Sequence, residues 1–586
     1  MTDDNLILLL TNKKNYLEKN KNYLSYFPLN PLDNNPNNIK AVQYKIPERE
    51  QIYKRYDFCE SLYNEMIKEF SEKLNHIHKE NYSIRAWDIM IGSWLREYIQ
   101  FSYKNYLNLS SIISNYKINT AFISDYKKYD FIIPDTASFF LANINLDWNL
   151  CFCSKLFEYF YSEKIKINYH TPSYFKLKNK HLSFENNRLF LRLLSSFSKI
   201  FRTNNEAFIS RTYLPFKEEK KLEMYFKQIP SFYSKPKISP ERVNIDLRKM
   251  LTYQTDSKNL SIENFVKINL KNFIPLFAIE NFKIIKKISK SRVFPQNPKF
   301  IFTSSLYSAD DTFKLYAASQ IMKNKPYYIG QHGNNYFSKI HTNYLSELKH
   351  CDSFFSWGFQ KEPKIKKFFN FKILNKQVSH DKNGKLLIIL NNPESDIGTL
   401  SDLAFNPQEF LKDILDILSV IKNLNKDIKN KTILRLNMSF YKKILGIKYI
   451  KFFENLEVSI DNGKKNINKL IKEARLCLFT YDSTGFLENT LNDIPSIFIC
   501  NKDFINCIND DFREKYNNLI NAKIMFNDSM PLINHINSNW EEISSWWSKP
   551  EIRKTINDFN QNFNLKPFNG CLKYLKENLK FKNNVS

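Results

Sequence analysis

The stretch Tyr481-Asp482-Ser483-Thr484-Gly485-Phe486-Leu487-Glu488 places an apolar run directly before a helical pattern. Asp482 or Ser483 can cap that helix. The N–H groups of the first turn, with the hydroxyls of Ser483 and Thr484, form a cradle for an anion such as a phosphate. Gly485 lets a ligand approach the backbone, and Glu488, about one turn further on, can accept hydrogen bonds from a ribose. Read as structure alone, the same residues are a helix cap.

A second stretch is Ile329-Gly330-Gln331-His332-Gly333-Asn334-Asn335-Tyr336. Gly330 and Gly333 are two of only 10 glycines, which points to special backbone geometry. His332, between them, can act as a general base for a hydroxyl or donate to a phosphate. A third stretch holds Ser304, Ser305, Asp310, Asp311 and Lys314. One of Asp310 and Asp311 is expected to cap a helix; the other is a reserve base. Lys314 reads as solvated. Weaker signals are Asn143, Asp147, Trp148 and Asn149, the Asn391-Asn392-Pro393-Glu394 turn, and Arg435, which ends a strand and can contact a phosphate.

The elements that must position these residues alternate. NLILLL at 5–10 reads as a buried strand, and 51–110 as amphipathic helices with aromatic residues at three- and four-residue steps. Residues 160–285 read as helices and loops. From 298 a strand, a helix (ADDTFKLYAASQIMKN) and a strand ending in Gln331-His332-Gly333 follow one another, with another strand at 353–357. A second alternating series runs through strands at 385–390, 431–437, 475–481 and 495–501, with helices at 407–424, 466–474 and 483–492. These strands are continuous apolar runs, as buried parallel strands are. The expected organisation is a first lobe with helical insertions (1–360), a lysine-rich linker (361–384) and a second lobe with terminal helices (385–586). Two doubly wound α/β lobes then face a cleft, with ligands at the carboxyl ends of their strands.

Composition bounds the partners. The 586 residues exceed one ordinary core. The formal charge of +27 suits anionic partners, although Lys spread over solvated faces gives the same number. No zinc-finger spacing, RNA-binding aromatic signature or Arg-rich helix is present, so nucleic acid is not expected. Eight scattered Cys without a CxxC pair suit a reducing cytoplasm, and Cys151-x-Cys153 is a weak metal site. The start MTDDNLILLL does not read as a signal peptide, and no apolar stretch approaches the roughly 20 residues of a spanning helix.

On these residues the sequence resembles transferases encoded in bacterial O-antigen and surface-polysaccharide clusters, along almost its whole length. The block from PKFIFTSS to DSFFSWGF carries the likeness, through Gln331-His332-Gly333, Glu347 and Asp352…Trp357-Gly358, together with YDSTGFLENTLNDIPSIF. SIRAWDIMIGSWL, NINLDWN and ISSWWSKPEIRKTINDF support it. Asn334 departs from the pattern, which has Gly there, and the segment LNMSFYK after Arg435 lacks a Pro or His. More distantly the chain is similar to capsule Kdo transferases and teichoic-acid polymerases.

The resemblance implies a GT-B-like fold and a glycosyltransferase using a nucleotide-activated sugar, with a CMP-ulosonic acid as the first expectation. It implies a lipid-linked or polysaccharide acceptor at the inner face of the cytoplasmic membrane. No metal-ligand cluster stands out in the sequence and a helix N-terminus can neutralise phosphate without one, so no metal or other cofactor is expected. His332 is the expected base, with Asp311 and Asp310 in reserve; Gln331, Gly333, Ser483, Thr484, Gly485, Glu488 and Arg435 are the expected binding residues. A polyol-phosphate transferase, or a basic polysaccharide-assembly or lipid-binding scaffold without activity, stands as the alternative.

Overall fold

A computed structural model describes residues 6–11, 17–26, 38–44, 47–128, 131–170, 206–230, 233, 235–254, 259–334, 336–391, 403, 409–438 and 450–580. The LILLL run forms β1 (Leu6–Leu10), buried throughout. It pairs in parallel with β2 (Tyr23–Ser25) and β4 (Ile118–Ser124), flanked by β3 (Ile39–Ala41) and β5 (Lys166–His170), in the order β3-β2-β1-β4-β5. Two long helices, Arg49–His78 and Ile84–Asn115, connect β3 to β4. Their buried residues, among them Tyr56, Tyr63, Met66 and Phe70 on the first and Trp87, Ile91, Trp94 and Tyr98 on the second, recur at three- and four-residue steps. The helical additions expected here thus include a five-stranded parallel sheet, of which sequence patterning indicates only β1, and the second long helix packs against Asp311–Ile321 and Ser346–His350.

The second sheet has the order β10-β9-β8-β7-β6, from β6 (Phe208–Ile209), β7 (Ile301–Thr303), β8 (Tyr327–Gly330), β9 (Ser353–Ser356) and β10 (Ile365–Lys367). Its strands follow one another in sequence, so the order does not reverse within it. The third has the order β13-β12-β11-β14-β15-β16, from β11 (Lys385–Ile389), β12 (Thr432–Arg435), β13 (Ser459–Asp461), β14 (Ala474–Phe479), β15 (Ser496–Ile499) and β16 (Met525–Phe526). Here the order reverses between β11 and β14, the arrangement of a doubly wound nucleotide-binding sheet. All paired strands of both sheets are parallel. The two alternating series read from the sequence therefore lie in two separate sheets. The architecture is mixed α/β, with three parallel sheets.

Two stretches differ from expectation. The lysine-rich 361–384 segment is not a bare linker. Its lysines alternate with Ile365, Phe368, Phe369, Phe371, Ile373 and Leu374, all buried, and it supplies β10. The chain end also does not stay with the third sheet. After the helix Pro550–Phe563, Leu565 N donates to Trp357 O at 2.5 Å and Asn370 Nδ2 donates to Asn564 Oδ1 at 2.9 Å. The last helix, Cys571–Lys580, then lies beside the second sheet, with Tyr574 4.9 Å from Phe368 between ring centroids. Gly358 permits this crossing: its φ is +133°, and a Cβ there would meet Leu565 N at 3.2 Å. All eight cysteines are buried and free, Cys151 and Cys153 within the helix Leu146–Tyr161. Among the described residues no helix is long and apolar enough to cross a membrane.

Candidate active site

β8 ends at Gly330, and the next residues leave the carboxyl edge of the second sheet. Gly330 is required for space: a Cβ would meet Ser304 Oγ at 2.5 Å and Phe371 at 2.8 Å. Neither Gly330 nor Gly333 adopts a left-handed backbone, so the special geometry expected of this turn is close approach instead. Gln331 is buried and acts as a strap. Its Nε2 donates to Gly333 O at 2.9 Å, and its Oε1 accepts from Trp357 N at 2.8 Å. It shapes the loop rather than offering a free amide to a ligand.

His332 is half-buried and joined to a closed polar network. Its Nδ1 lies 2.9 Å from Tyr336 Oη and 3.4 Å from Tyr307 Oη. Both phenols donate to Glu347 Oε1, at 2.6 Å from Tyr336 and 2.7 Å from Tyr307. Burial and the neighbouring Glu347 hold both phenols far above their ordinary pKa, so they keep their protons. Each phenol has one proton and gives it to the carboxylate. The two phenol oxygens also lie 3.0 Å apart; with both phenol protons on the carboxylate, Nδ1 is assigned as the donor to Tyr336, and in the neutral imidazole the lone pair then sits on Nε2. The His332 tautomer is thus selected by a carboxylate acting through a tyrosine. Burial pushes the His332 pKa below its ordinary value, Glu347 pulls it up and Lys372 pushes it down.

Across from this loop, β14 ends and the helix Thr484–Leu491 begins. Ser483 caps it, its Oγ accepting from Phe486 N at 3.2 Å. Thr484 Oγ1 accepts from Asn334 N at 2.9 Å. The Asn334 amide donates to Asp482 Oδ1, while Tyr516 Oη donates to Asp482 Oδ2 at 2.8 Å. Burial raises the pKa of Asp482, opposed by Lys339, Tyr516 and Asn334. The two sequence stretches singled out first therefore touch, and Asn334, the departure from the resembling family, makes both contacts. Gly333 lies at the same junction, where a Cβ would be 3.3 Å from Thr484 Oγ1.

Other candidates find different roles. A Cβ on Gly485 would meet the Phe479 ring at 2.9 Å, so this glycine serves helix–strand packing and not ligand approach. Glu488 is paired with Lys372 at 3.7 Å and Lys376 at 3.4 Å. Arg435 is not brought to the cradle. It pairs with Asp461 and donates to Lys465 O and Gly463 O, and β11 separates its strand from β14. Asp310 caps the helix Asp311–Ile321 through Phe313 N at 3.0 Å and accepts from Tyr233. Asp311 accepts from Thr136 N and Oγ1 and pairs with Lys314 at 2.6 Å. Both are buried and committed to structure, which removes them as reserve bases. Lys314 is fully buried, not solvated, because this pairing neutralises it.

Asn143 and Asn149 are buried and Trp148 sits in the aromatic core, while Asn392–Glu394 fall outside the described residues. Sequence reasoning gave no role to Tyr307, Tyr336 or Glu347, because they come from separate short helices and a loop that the fold brings together. Among the described residues no group of three or more His, Cys, Asp or Glu is placed to hold a metal.

The sequence pattern of the LIC12162 family transferase matches residues 8–579. Two solved structures of the wall teichoic acid polymerase TagF, one titled with CDPG, are similar at 11% identity and a TM-score of 0.31, over 66% of this chain and 92% of theirs. No curated protein matches the chain.

Proposed function

The chain belongs to the LIC12162 family of transferases, and from that premise we propose that it transfers a sugar from a nucleotide-activated donor to a surface-polysaccharide acceptor, with His332 as the base. The observation that carries this reading is the His332–Tyr336–Glu347 chain standing on a loop hydrogen-bonded to the Ser483-Thr484 turn. These contacts support a base whose tautomer is held through Nδ1, acting beside a helix N-terminus suited to a phosphate.

On this reading the acceptor hydroxyl gives its proton to Nε2 as its oxygen bonds to the anomeric carbon. The carbon–oxygen bond to the donor phosphate breaks, and its electron pair leaves on the phosphate. The imidazolium is stabilised by Glu347 through the phenols. A depressed pKa keeps the imidazole neutral and ready at neutral pH. The leaving phosphate is met by the first turn of the helix Thr484–Leu491 and by the Thr484 hydroxyl, which keeps its own proton while accepting from Asn334. Lys372 and Lys376 add positive charge beside it.

A lipid-borne acceptor is supported by an exposed patch on the helices Phe216–Tyr225 and Cys571–Lys580. Phe216, Met224, Tyr225, Phe568 and Tyr574 are exposed there. Lys576 and Lys580 lie 4.1 and 5.0 Å from the Tyr225 ring centroid. Basic residues among apolar ones suit an anionic membrane surface.

The test is a thermal-shift screen of CMP, CDP, UDP and GDP and their sugars, followed by transfer assays. A nucleotide at 100 times its Kd should stabilise by about 2.7 kcal/mol. His332→Ala should abolish transfer while leaving that stabilisation intact. No response to any nucleotide overturns the reading, and CDP-glycerol or CDP-ribitol acting as the donor would replace it with polyol-phosphate transfer. A CMP-ulosonic acid is the first donor to try.

A further inference from the structure

Immediately after β6 the chain makes a turn that non-glycine residues avoid. Arg211 has φ 52° and Tyr213 has φ 66°, two left-handed residues in three. Such a turn persists only where surrounding contacts over-determine it, and such strain collects at functional sites. Ser304 N donates to Arg211 O at 3.0 Å, and Ser304 Oγ to Thr212 O at 2.9 Å. Thr212 N and Oγ1 both donate to Glu219 Oε2, at 2.7 and 2.6 Å. Thr212 itself is buried.

All this constraint holds one ring in the open. Tyr213 is 38% exposed in a chain whose largest aromatics are mostly buried. Its centroid lies 5.6 Å from that of His332, at an interplanar angle of 45°. Lys372 Nζ is 5.2 Å from the Tyr213 centroid. Tyr213 and His332 both follow strand ends at the carboxyl edge of the second sheet, and Lys372 also pairs with Glu488 at 3.7 Å on the helix that Ser483 caps. The face of an aromatic ring is electron-rich. The C–H face of a pyranose is its complement, and Lys372 beside it suits an anionic substituent.

We propose that Tyr213 is the platform on which the acceptor's terminal sugar ring lies, and that the strained 211–213 turn holds that sugar at His332. This rests on the reading of His332 as the base. A stacked sugar presents its hydroxyl edge to the side, where a base five to six ångströms away between ring centres can reach it.

The test uses saturation-transfer NMR with methyl glycosides of glucose, galactose, mannose, N-acetylglucosamine and Kdo, on the full chain. Tyr213→Phe should keep the signal. Tyr213→Ala and Tyr213→Gly should lower affinity about tenfold, as removal of a stacking ring does. Glycine adopts the left-handed backbone without strain, so Tyr213→Gly should melt no lower than the parent chain, which separates loss of the ring from loss of the fold. Thermal stabilisation by nucleotides should be unchanged in all three. The proposal is overturned if Tyr213→Gly binds the glycosides as the parent chain does, if the parent binds none of them, or if the substitutions weaken nucleotide binding instead, which would assign the ring to the donor base. Tyr213-dependent glycoside binding in a chain that no nucleotide stabilises would keep the platform and remove the nucleotide-donor reading.

Discussion

Replacing Glu347 with Gln isolates charge from shape. The carboxylate accepts both phenols on Oε1, and an amide oxygen in the same place accepts both as well. What disappears is the negative charge. Links of 2.9 and 2.6 Å put that charge roughly 5 Å from His332 Nδ1, where at an effective dielectric near 20 it stabilises an imidazolium by about 3 kcal/mol. If His332 is protonated in the transition state, Glu347→Gln should lower kcat by roughly two orders of magnitude, at 1.36 kcal/mol per decade. KM should change little, because the neutral imidazole of the ground state gains little from the charge. The pH profile gives an independent readout. Glu347 pulls the His332 pKa up, so its neutralisation should move the acid limb of kcat/KM to lower pH. The assay is initial-rate transfer from pH 5 to 8, beside a melting curve. A kcat within threefold of the parent chain (roughly 0.65 kcal/mol), or an acid limb that stays put or moves upward, would refute the coupling.

Ser483→Ala should cost about 1 kcal/mol of stability through the lost cap, read by denaturant unfolding, and Thr484→Val, which removes the acceptor of the Asn334 N–H, should cost about 1–3 kcal/mol and also weaken nucleotide binding, read by calorimetry. Asn334→Ala leaves Asp482 buried with one donor fewer and should destabilise by about 1–3 kcal/mol, seen as a lower Tm. Burial pushes His78 and His535 down to about 4, so between pH 6.5 and 4 the unfolded chain binds protons that the folded one refuses. The stability is complete above pH 6.5 and falls toward pH 4 by up to about 3 kcal/mol per histidine; His535→Phe should flatten that slope in melting curves. Phe216→Ser with Tyr225→Ser should reduce co-sedimentation with phosphatidylglycerol vesicles at low salt, and unchanged binding would dissociate the patch from the membrane.

The third sheet was legible because its strands are unbroken apolar runs and its turns carry Ser483, Thr484 and Gly485 at one place in the chain. The Gln331-His332-Gly333 turn was legible for the same reason. The first sheet was not, because β2 and β3 are three residues each and lie among Asn- and Pro-rich sequence. β10 was hidden by the lysines around it. Within the site, His332 and the helix cap could be read because each stands beside its own strand end. Glu347 could not be given a role, since its link to His332 runs through phenols that, like dozens of others in this aromatic-rich chain, read as core. Tyr213 had no signal, because a left-handed turn built without glycine leaves no mark in composition.

The return of the last helix to the second sheet sets a timetable for synthesis. Tyr574 Oη reaches Lys367 O across 207 positions of sequence. At about 5–20 residues per second, those positions take on the order of 10–40 s to make. For that interval the Phe368 ring waits for the Tyr574 ring that lies against it in the finished protein. The nascent chain therefore leaves one side of this aromatic seam uncovered until residues 571–580 emerge, and a product cut short before residue 571 would leave it so permanently. Demand for chaperones should be highest in the interval between the emergence of residue 368 and that of residue 574, and loss of the helix Cys571–Lys580 should show first as insolubility and only afterwards as lost catalysis.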